Sequence, residues 1–244
     1  MHVVVQKSAE AVARAVADIL VEAVARQPAL VLGLPTGRTP IGLYRELVAR
    51  HRDRRIDFGQ VTAFNIDEFV GLPSGHPGTY AVYMAHHLYR HVNLSPKRIH
   101  LPASDARDPR KEAQRYEGAI RAAGGIDLLV LGIGSNGHIG FNEPGASLVA
   151  DTHVARLAPA TRRSNADAFG GDVRRVPGQG ITMGTGTLLR ARHVVLMAMG
   201  NQKANVVARA LEGPITTKVP ASLLQAHPNV TVVLDRAAAA KLST

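Results

Sequence analysis

At 244 residues the chain can build one substantial core, and its 45% hydrophobic content excludes a disordered protein. With no cysteine it can hold neither a disulfide framework nor a thiolate nucleophile. Its 29 Lys plus Arg outweigh 19 Asp plus Glu, but aromatics are only 4% and the basic run RHRDRR at 50–55 has no interleaved rings for base stacking; the charge therefore reads as a solvated face or an attraction for small anions, not as nucleic-acid binding.

In chain order, the N-terminus MHVVVQKSAE lacks the regions of a signal peptide. No later apolar run approaches a membrane span. A cytoplasmic protein with no membrane partner is expected. Residues 8–26 put Val12, Val16, Ile19, Leu20, Ala23 and Val24 on one helical face, with Ser8 as N-cap. Ala29 to Leu34 reads as a short buried strand, and Pro40 stands where a next helix begins. Further strands are expected at 61–66, 126–133, 193–199 and 230–235. Helices are expected near 79–92, 110–123, 201–212 and 236–241. Strands alternating with helices predict a parallel sheet covered on both faces, in a single α/β domain over 1–244. The weakly patterned stretch 145–187, centred on FGGDVRRVPGQG, suits a lid over a crevice.

Four stretches offer chemistry. GLPTGRTP, Gly33 to Pro40, follows a strand and precedes a helix. Its glycine, its Thr36 and Thr39 hydroxyls and the next helix's amides fit a phosphate cradle, and equally fit an ordinary strand-to-helix turn. In NIDEFVGLP, Asp67 and Glu68 stand at the carboxyl end of a strand, where open α/β sheets bind ligands. They read as chemistry or as a helix cap. GIGSNG, Gly132 to Gly137, matches a dinucleotide fingerprint, but HIGFNEPG after it cannot open a helix, so that reading is rejected. The same segment gathers Asn136, His138 and Glu143, either a tuned acid–base group or a loop histidine with polar neighbours. In HHLYRH, His87 and His91 stand four apart, but with no third ligand a metal is not expected.

Together these stretches resemble the glucosamine-6-phosphate deaminase family. LGLPTGRTP, FNIDEFVGLPSGHPGTY, LGIGSNGHIGFNEPG, GITMGTGTLL, GNQKA and LQAHPNVTVVLD run in family order from about residue 30 to 235. The resemblance implies a Rossmann-like three-layer α/β sandwich with a mainly parallel sheet. It implies conversion of glucosamine 6-phosphate and water to fructose 6-phosphate and ammonia, without a cofactor. A sugar-phosphate lactonase of the same fold and a non-catalytic sugar-phosphate sensor are the alternatives. Asp67 matches the family's C2–C1 proton carrier, and Glu68 beside it is expected to support the site as a substrate-binding residue. His138 matches the ring-opening residue and Glu143 its carboxylate partner, while Asn136 stands where the family often has Asp. Gly37, Arg38 and Thr39, beside Thr36, match the phosphate loop, and Lys203 its lysine. Where the family pattern has a lid arginine, this chain has Asp167 within NADAF, which leaves Arg162 or Arg163 to turn inward in its place. His153 and Ala155 occupy the places of basic residues in allosterically regulated members, so such regulation is not expected. The expected partner is a small amino-sugar phosphate; the sequence leaves the oligomeric state open.

Overall fold

Strand β6 (Leu128–Leu131) shows how this sequence makes its sheet. Leu128 and Val130 enter one apolar cluster, Leu129 and Leu131 the opposite one. A strand that alternates between two dry faces must lie between two layers of helices.

A computed structural model describes residues 1–243. The chain runs β1 (His2–Gln6), α1 (Ala9–Arg26), β2 (Val31–Leu34), α2 (Ile41–Arg52), β3 (Thr62–Asn65) and β4 (Asp67–Phe69). It continues through α3 (Tyr80–His87), β5 (Ile99–His100), α4 (Pro109–Ala122) and β6, then β7 (His153–Arg156), α5 (Pro159–Ser164), β8 (Gln179–Thr182) and α6 (Thr185–Leu189). It closes with β9 (His193–Ala198), α7 (Ala204–Leu211), β10 (Val230–Asp235) and α8 (Arg236–Ala239). Seven strands in the order β1-β10-β9-β6-β2-β3-β5 form one sheet, every pair of it parallel. On one face lie Val12, Val16 and Leu20 of α1 and Leu43, Tyr44 and Leu47 of α2. On the other lie Tyr116 and Ile120 of α4, Val206, Val207 and Ala210 of α7, and Ala238 of α8. This is the three-layer α/β sandwich expected. Gly33 in β2 lets the centre close up: a Cβ there would sit 2.4 Å from Leu129 Cδ1.

Helix α1 begins where its cap predicts, the Ser8 hydroxyl accepting from Ala11 N–H at 3.2 Å. Pro40 is the residue before α2 rather than its first. The expected helix at 79–92 stops at His87, because Leu88 leaves helical geometry at φ −139°. His91 then points Nε2 at the His86 carbonyl, 2.8 Å away, and the i, i+4 pairing with His87 is lost. Among the described residues no group of three metal-ligating side chains is present.

Two features depart from the sequence expectation. β1 is an unforeseen edge strand paired with β10. The stretch 61–66 divides: the parallel strand ends at Asn65, and Asp67–Phe69 starts a second, antiparallel sheet of order β4-β8-β7. Two of its strands come from the weakly patterned 145–187. Phe69, Tyr80, Phe141, Leu157, Ala166, Phe169 and Val176 give this sheet and the α5 region a core of their own.

Candidate functional site

The chain passes from β2 to β3 and β5 on one side, then returns to β6 and β9 on the other. The strand order therefore reverses between β2 and β6, the place where open α/β sheets leave a crevice at their carboxyl ends. A cavity of about 450 Å³ lies there. The loop after β2 supplies Thr36, Gly37, Arg38 and Thr39, and the passage from β3 into β4 supplies Ile66 and Asp67. The loop after β6 supplies Ser135, Asn136 and His138, and the turn after β9 supplies Gln202 and Lys203. Ala160, Thr161, Ser164 and Asn165, on and just after α5, form a further wall.

Asp67 is 6% exposed, and Oδ1 has no hydrogen-bond partner among the described residues. Burial, reinforced by the Glu68 charge and opposed by the Thr36 hydroxyl, pushes its carboxyl up to about 8. An unpaired buried carboxyl oxygen on a cavity wall is costly unless a ligand uses it.

Glu68 does something different. Neighbouring side chains on a strand point to opposite faces, so Glu68 turns away from the cavity. Its carboxylate accepts N–H bonds from Phe69 at 2.8 Å and from Tyr80 and Ala81 at 2.9 Å each. Burial pushes it up to about 7 against the pull of these donors. The expectation that Glu68 binds substrate is corrected: it fastens the start of α3, the helix that brings Tyr80 to the cavity.

On the loop after β6, Asn136 Nδ2 donates to Glu143 Oε2 at 2.8 Å. That contact fixes the amide, so Oδ1 faces His138 and accepts from its backbone N–H at 3.2 Å and from Nδ1 at 2.7 Å. An amide oxygen only accepts, so Nδ1 carries the proton and Nε2 holds the free lone pair. Glu143 Oε2 lies 3.5 Å from Nδ1 and supplies the negative charge that Asn136 lacks. Although burial raises the Glu143 carboxyl, hydrogen bonds from His138, Thr161 and Asn136 hold it at about 2. Gly134 makes room for the imidazole, since a Cβ there would lie 2.2 Å from His138 Cε1.

Two cations, Arg38 and Lys203, line the cavity. Lys203 Nζ donates to the Ile133 carbonyl at 2.7 Å, and burial lowers its pKa. Gly37 takes φ +95°, and its carbonyl accepts from the Tyr83 hydroxyl at 2.5 Å. Arg38 pairs with Asp167 across the mouth.

A family model described as glucosamine-6-phosphate isomerases/6-phosphogluconolactonase matches residues 5–233. The chain belongs to this family. It is 44% identical to glucosamine-6-phosphate deaminase 2 of Bacillus subtilis (strain 168), covering 100% of this chain and 98% of that protein. It is 45% identical to the glucosamine-6-phosphate deaminase of Cellvibrio japonicus (strain Ueda107), covering 100% and 92%. The solved structure of a monomeric glucosamine-6-phosphate deaminase superposes with a TM-score of 0.95 at 39% identity, covering 99% of this chain and all of that one. A 6-phosphogluconolactonase from Trypanosoma cruzi superposes at 0.79 with 19% identity, covering 100% and 97%, a likeness of fold alone.

Of the residues singled out from sequence in this family member, Thr36, Gly37, Arg38, Thr39, Asp67, Asn136, His138 and Lys203 meet at the cavity. Glu143 stands behind His138, and Glu68 faces away. The expectation that Arg162 or Arg163 turns inward is also corrected. Arg162 donates to the carbonyls of Val173 and Val176 at 2.9 to 3.1 Å, and Arg163 is exposed and off the cavity wall. Tyr80, Thr161, Asn165 and Gln202 line the cavity without having been foreseen. Tyr80 closes one of the matching stretches, but nothing in the sequence turns it inward. Pro159 marks a helix start without saying which side of that helix meets Glu143.

Proposed function

We propose that this chain is a glucosamine-6-phosphate deaminase acting in amino-sugar metabolism in the cytoplasm, on a small amino-sugar phosphate and without a cofactor. The family, the full-length likeness to deaminases at 44–45% identity and the site chemistry support one reading. The observation that carries it is the cavity itself: an unpaired Asp67 oxygen and the His138 ring on walls that also hold Arg38 and Lys203. No helix among the described residues is long and apolar enough to cross a membrane.

In this reading Arg38, Lys203 and the Gly37–Thr39 loop hold the 6-phosphate. His138, with Nδ1 fixed as a donor to Asn136, uses Nε2 to take the proton from O1 and returns it to the ring oxygen as the ring opens. Asp67 then removes the C2 proton, the C2 ammonium gives up a proton to O1, and a neutral enolamine forms beside the protonated Asp67. Asp67 delivers its proton to C1, giving the C2 imine. Water adds at C2 and ammonia leaves, completing fructose 6-phosphate. A carboxyl raised to about 8 is a strong base once ionised, and the substrate's C2 ammonium offers the charge that favours ionisation. The stretch 145–187, which includes α5, acts as a lid over this chemistry.

Ammonia release is measured on a panel of glucosamine 6-phosphate, glucosamine, N-acetylglucosamine 6-phosphate and 6-phosphogluconolactone. Ammonia from the first, with no lactone hydrolysis, is expected. Lactone hydrolysis alone would overturn the reading in favour of the lactonase, and binding without turnover in favour of a sensor.

The raised Asp67 carboxyl sets the sign of the pH dependence. The base works only when ionised, so kcat/KM is expected to rise with pH through about 8. In kcat the limb should move lower, because the bound ammonium favours the carboxylate. The substrate's own amine titration is measured separately and divided out. A kcat/KM limb near an ordinary aspartate pKa would show that Asp67 ionises freely in the empty site.

Asp167 should weaken phosphate binding modestly, because the anion must compete with it for Arg38. Both side chains are about three-quarters exposed, so the pair is solvent-screened and the effect small. Asp167→Asn is expected to lower KM for glucosamine 6-phosphate about 1.5- to 5-fold at low salt and less at moderate salt. Asp167→Arg should go further in the same direction. Neither should change KM for unphosphorylated glucosamine, and an unchanged KM for the phosphate ester would show that Asp167 does not restrain Arg38.

A further inference from the structure

Glu143 divides its two oxygens between separate parts of the molecule. Oε2 accepts from Asn136 and faces His138 Nδ1. Oε1 accepts from the Thr161 hydroxyl and, at 3.3 Å, from the Ala158 N–H. Thr161 lies on α5, among the residues that line the cavity, and is 3% exposed. The seat of α5 is fixed from another direction as well: Asn165 Nδ2 donates to the Thr161 carbonyl at 2.9 Å, and Tyr80 donates to Asn165 Oδ1 at 3.1 Å.

We propose that Thr161 is a positioning residue for His138, holding Glu143 so that Asn136 keeps its carbonyl toward Nδ1. The steps are forced by donor and acceptor chemistry. Ionised Glu143 only accepts, so Asn136 must offer it Nδ2. Asn136 Oδ1 at 2.7 Å then stands closest to Nδ1, with Glu143 Oε2 behind it at 3.5 Å; both only accept, so Nδ1 must carry the proton. Were Glu143 free to swing away, Asn136 would lose the contact that orients it. A flipped amide would place donors against Nδ1–H, and the ring would move to the other tautomer. A carboxylate on one turn of loop can be held from both sides only if α5 is seated. Thr161 thereby couples the seat of α5 to the protonation pattern of the imidazole, and each link in that coupling is one direct contact.

The proposal rests on the deaminase reading only where it predicts turnover, so the test reads both turnover and the tautomer. Nitrogen-15 shifts of histidine-labelled protein are compared for wild type, Thr161→Val, Thr161→Ala and Thr161→Ser, with His138→Gln assigning the His138 signals. Wild type should show protonated Nδ1. The Val and Ala variants should show a mixture of tautomers and about a tenfold fall in kcat, with KM within about twofold. Ser restores the hydroxyl and should restore both readings. Wild-type shifts and wild-type kcat in a folded Val or Ala variant would overturn the proposal, as would a change in KM alone, which would mark Thr161 as a substrate contact. If the tautomer shifts in the variants but the wild-type protein releases no ammonia, the positioning role stands and the deaminase reading falls.

Discussion

Asp67→Asn is expected to abolish most ammonia release while the protein keeps its fold. The amide is close in shape to the carboxyl but cannot take the C2 proton, and losing a general base costs about a hundredfold to ten-thousandfold. The same substitution should also raise stability at alkaline pH. A carboxyl held at about 8 in the folded protein and near 4 in the unfolded chain favours folding fully only below the unfolded value. That stability is lost as pH rises through about 8, because burial penalises the ionised form. Asn carries no such penalty. The melting temperature of Asp67→Asn relative to wild type should therefore climb between about pH 4 and 8 and level off above that. Glu68 is unchanged in both proteins, although its own titration feels the loss of its neighbour's charge. Ammonia release near the wild-type rate from a folded variant would remove Asp67 from the mechanism. A flat stability difference across that pH range would show that its carboxyl is not raised.

The sequence exposes those parts of the site whose residues lie next to strand ends. β2, β3, β6, β9 and β10 are apolar on both faces, so each reads as a buried strand, and Thr36–Thr39, Asp67, Asn136 and His138 follow directly from three of them. The second sheet is harder to see because its strands have only three or four residues, too few for a period to register. Its pairing also joins Asp67 to Thr182 and His153 to Thr182, contacts between distant positions that local pattern does not encode. β1 is missed for a related reason: it is an edge strand with Val3 and Val5 exposed, so HVVVQ lacks a buried face to betray it. Glu68 was misplaced because adjacency in sequence was read as adjacency in space, which a strand denies. Arg38 with Asp167 and Glu143 with Thr161 are side-chain pairings across loops, and residue type alone does not choose the partner. The three-dimensional arrangement reassigns Arg162 from the phosphate to the carbonyls of Val173 and Val176 on the same ground.

His138→Gln is expected to slow turnover by about a hundredfold or more by removing catalysed ring opening. Gln cannot pass a proton between O1 and the ring oxygen, yet it fills much of the space left open by Gly134. The loss has a floor, because amino sugars open spontaneously and the variant still holds Asp67 ready for the open form. This makes ring opening the slow step and moves C2 proton removal off it. A substrate carrying deuterium at C2 tests the shift directly. Whatever isotope effect wild type shows should fall toward one in His138→Gln. An open-chain amino-alditol phosphate, which needs no opening, should bind wild type and variant about equally. Retention of the full isotope effect would take His138 out of ring opening, and a large loss of affinity for the open-chain analogue would make it a binding group. Asn136→Asp offers the complementary comparison. A carboxylate at 136 would accept from Nδ1 as the amide does, but it would meet Glu143, held at about 2, with like charge. The contact that now runs from Asn136 Nδ2 to Glu143 Oε2 at 2.8 Å would become a repulsion unless a proton is shared. Asn136 is thus fitted to an ionised Glu143: it relays orientation to His138, while the charge stays one residue further back.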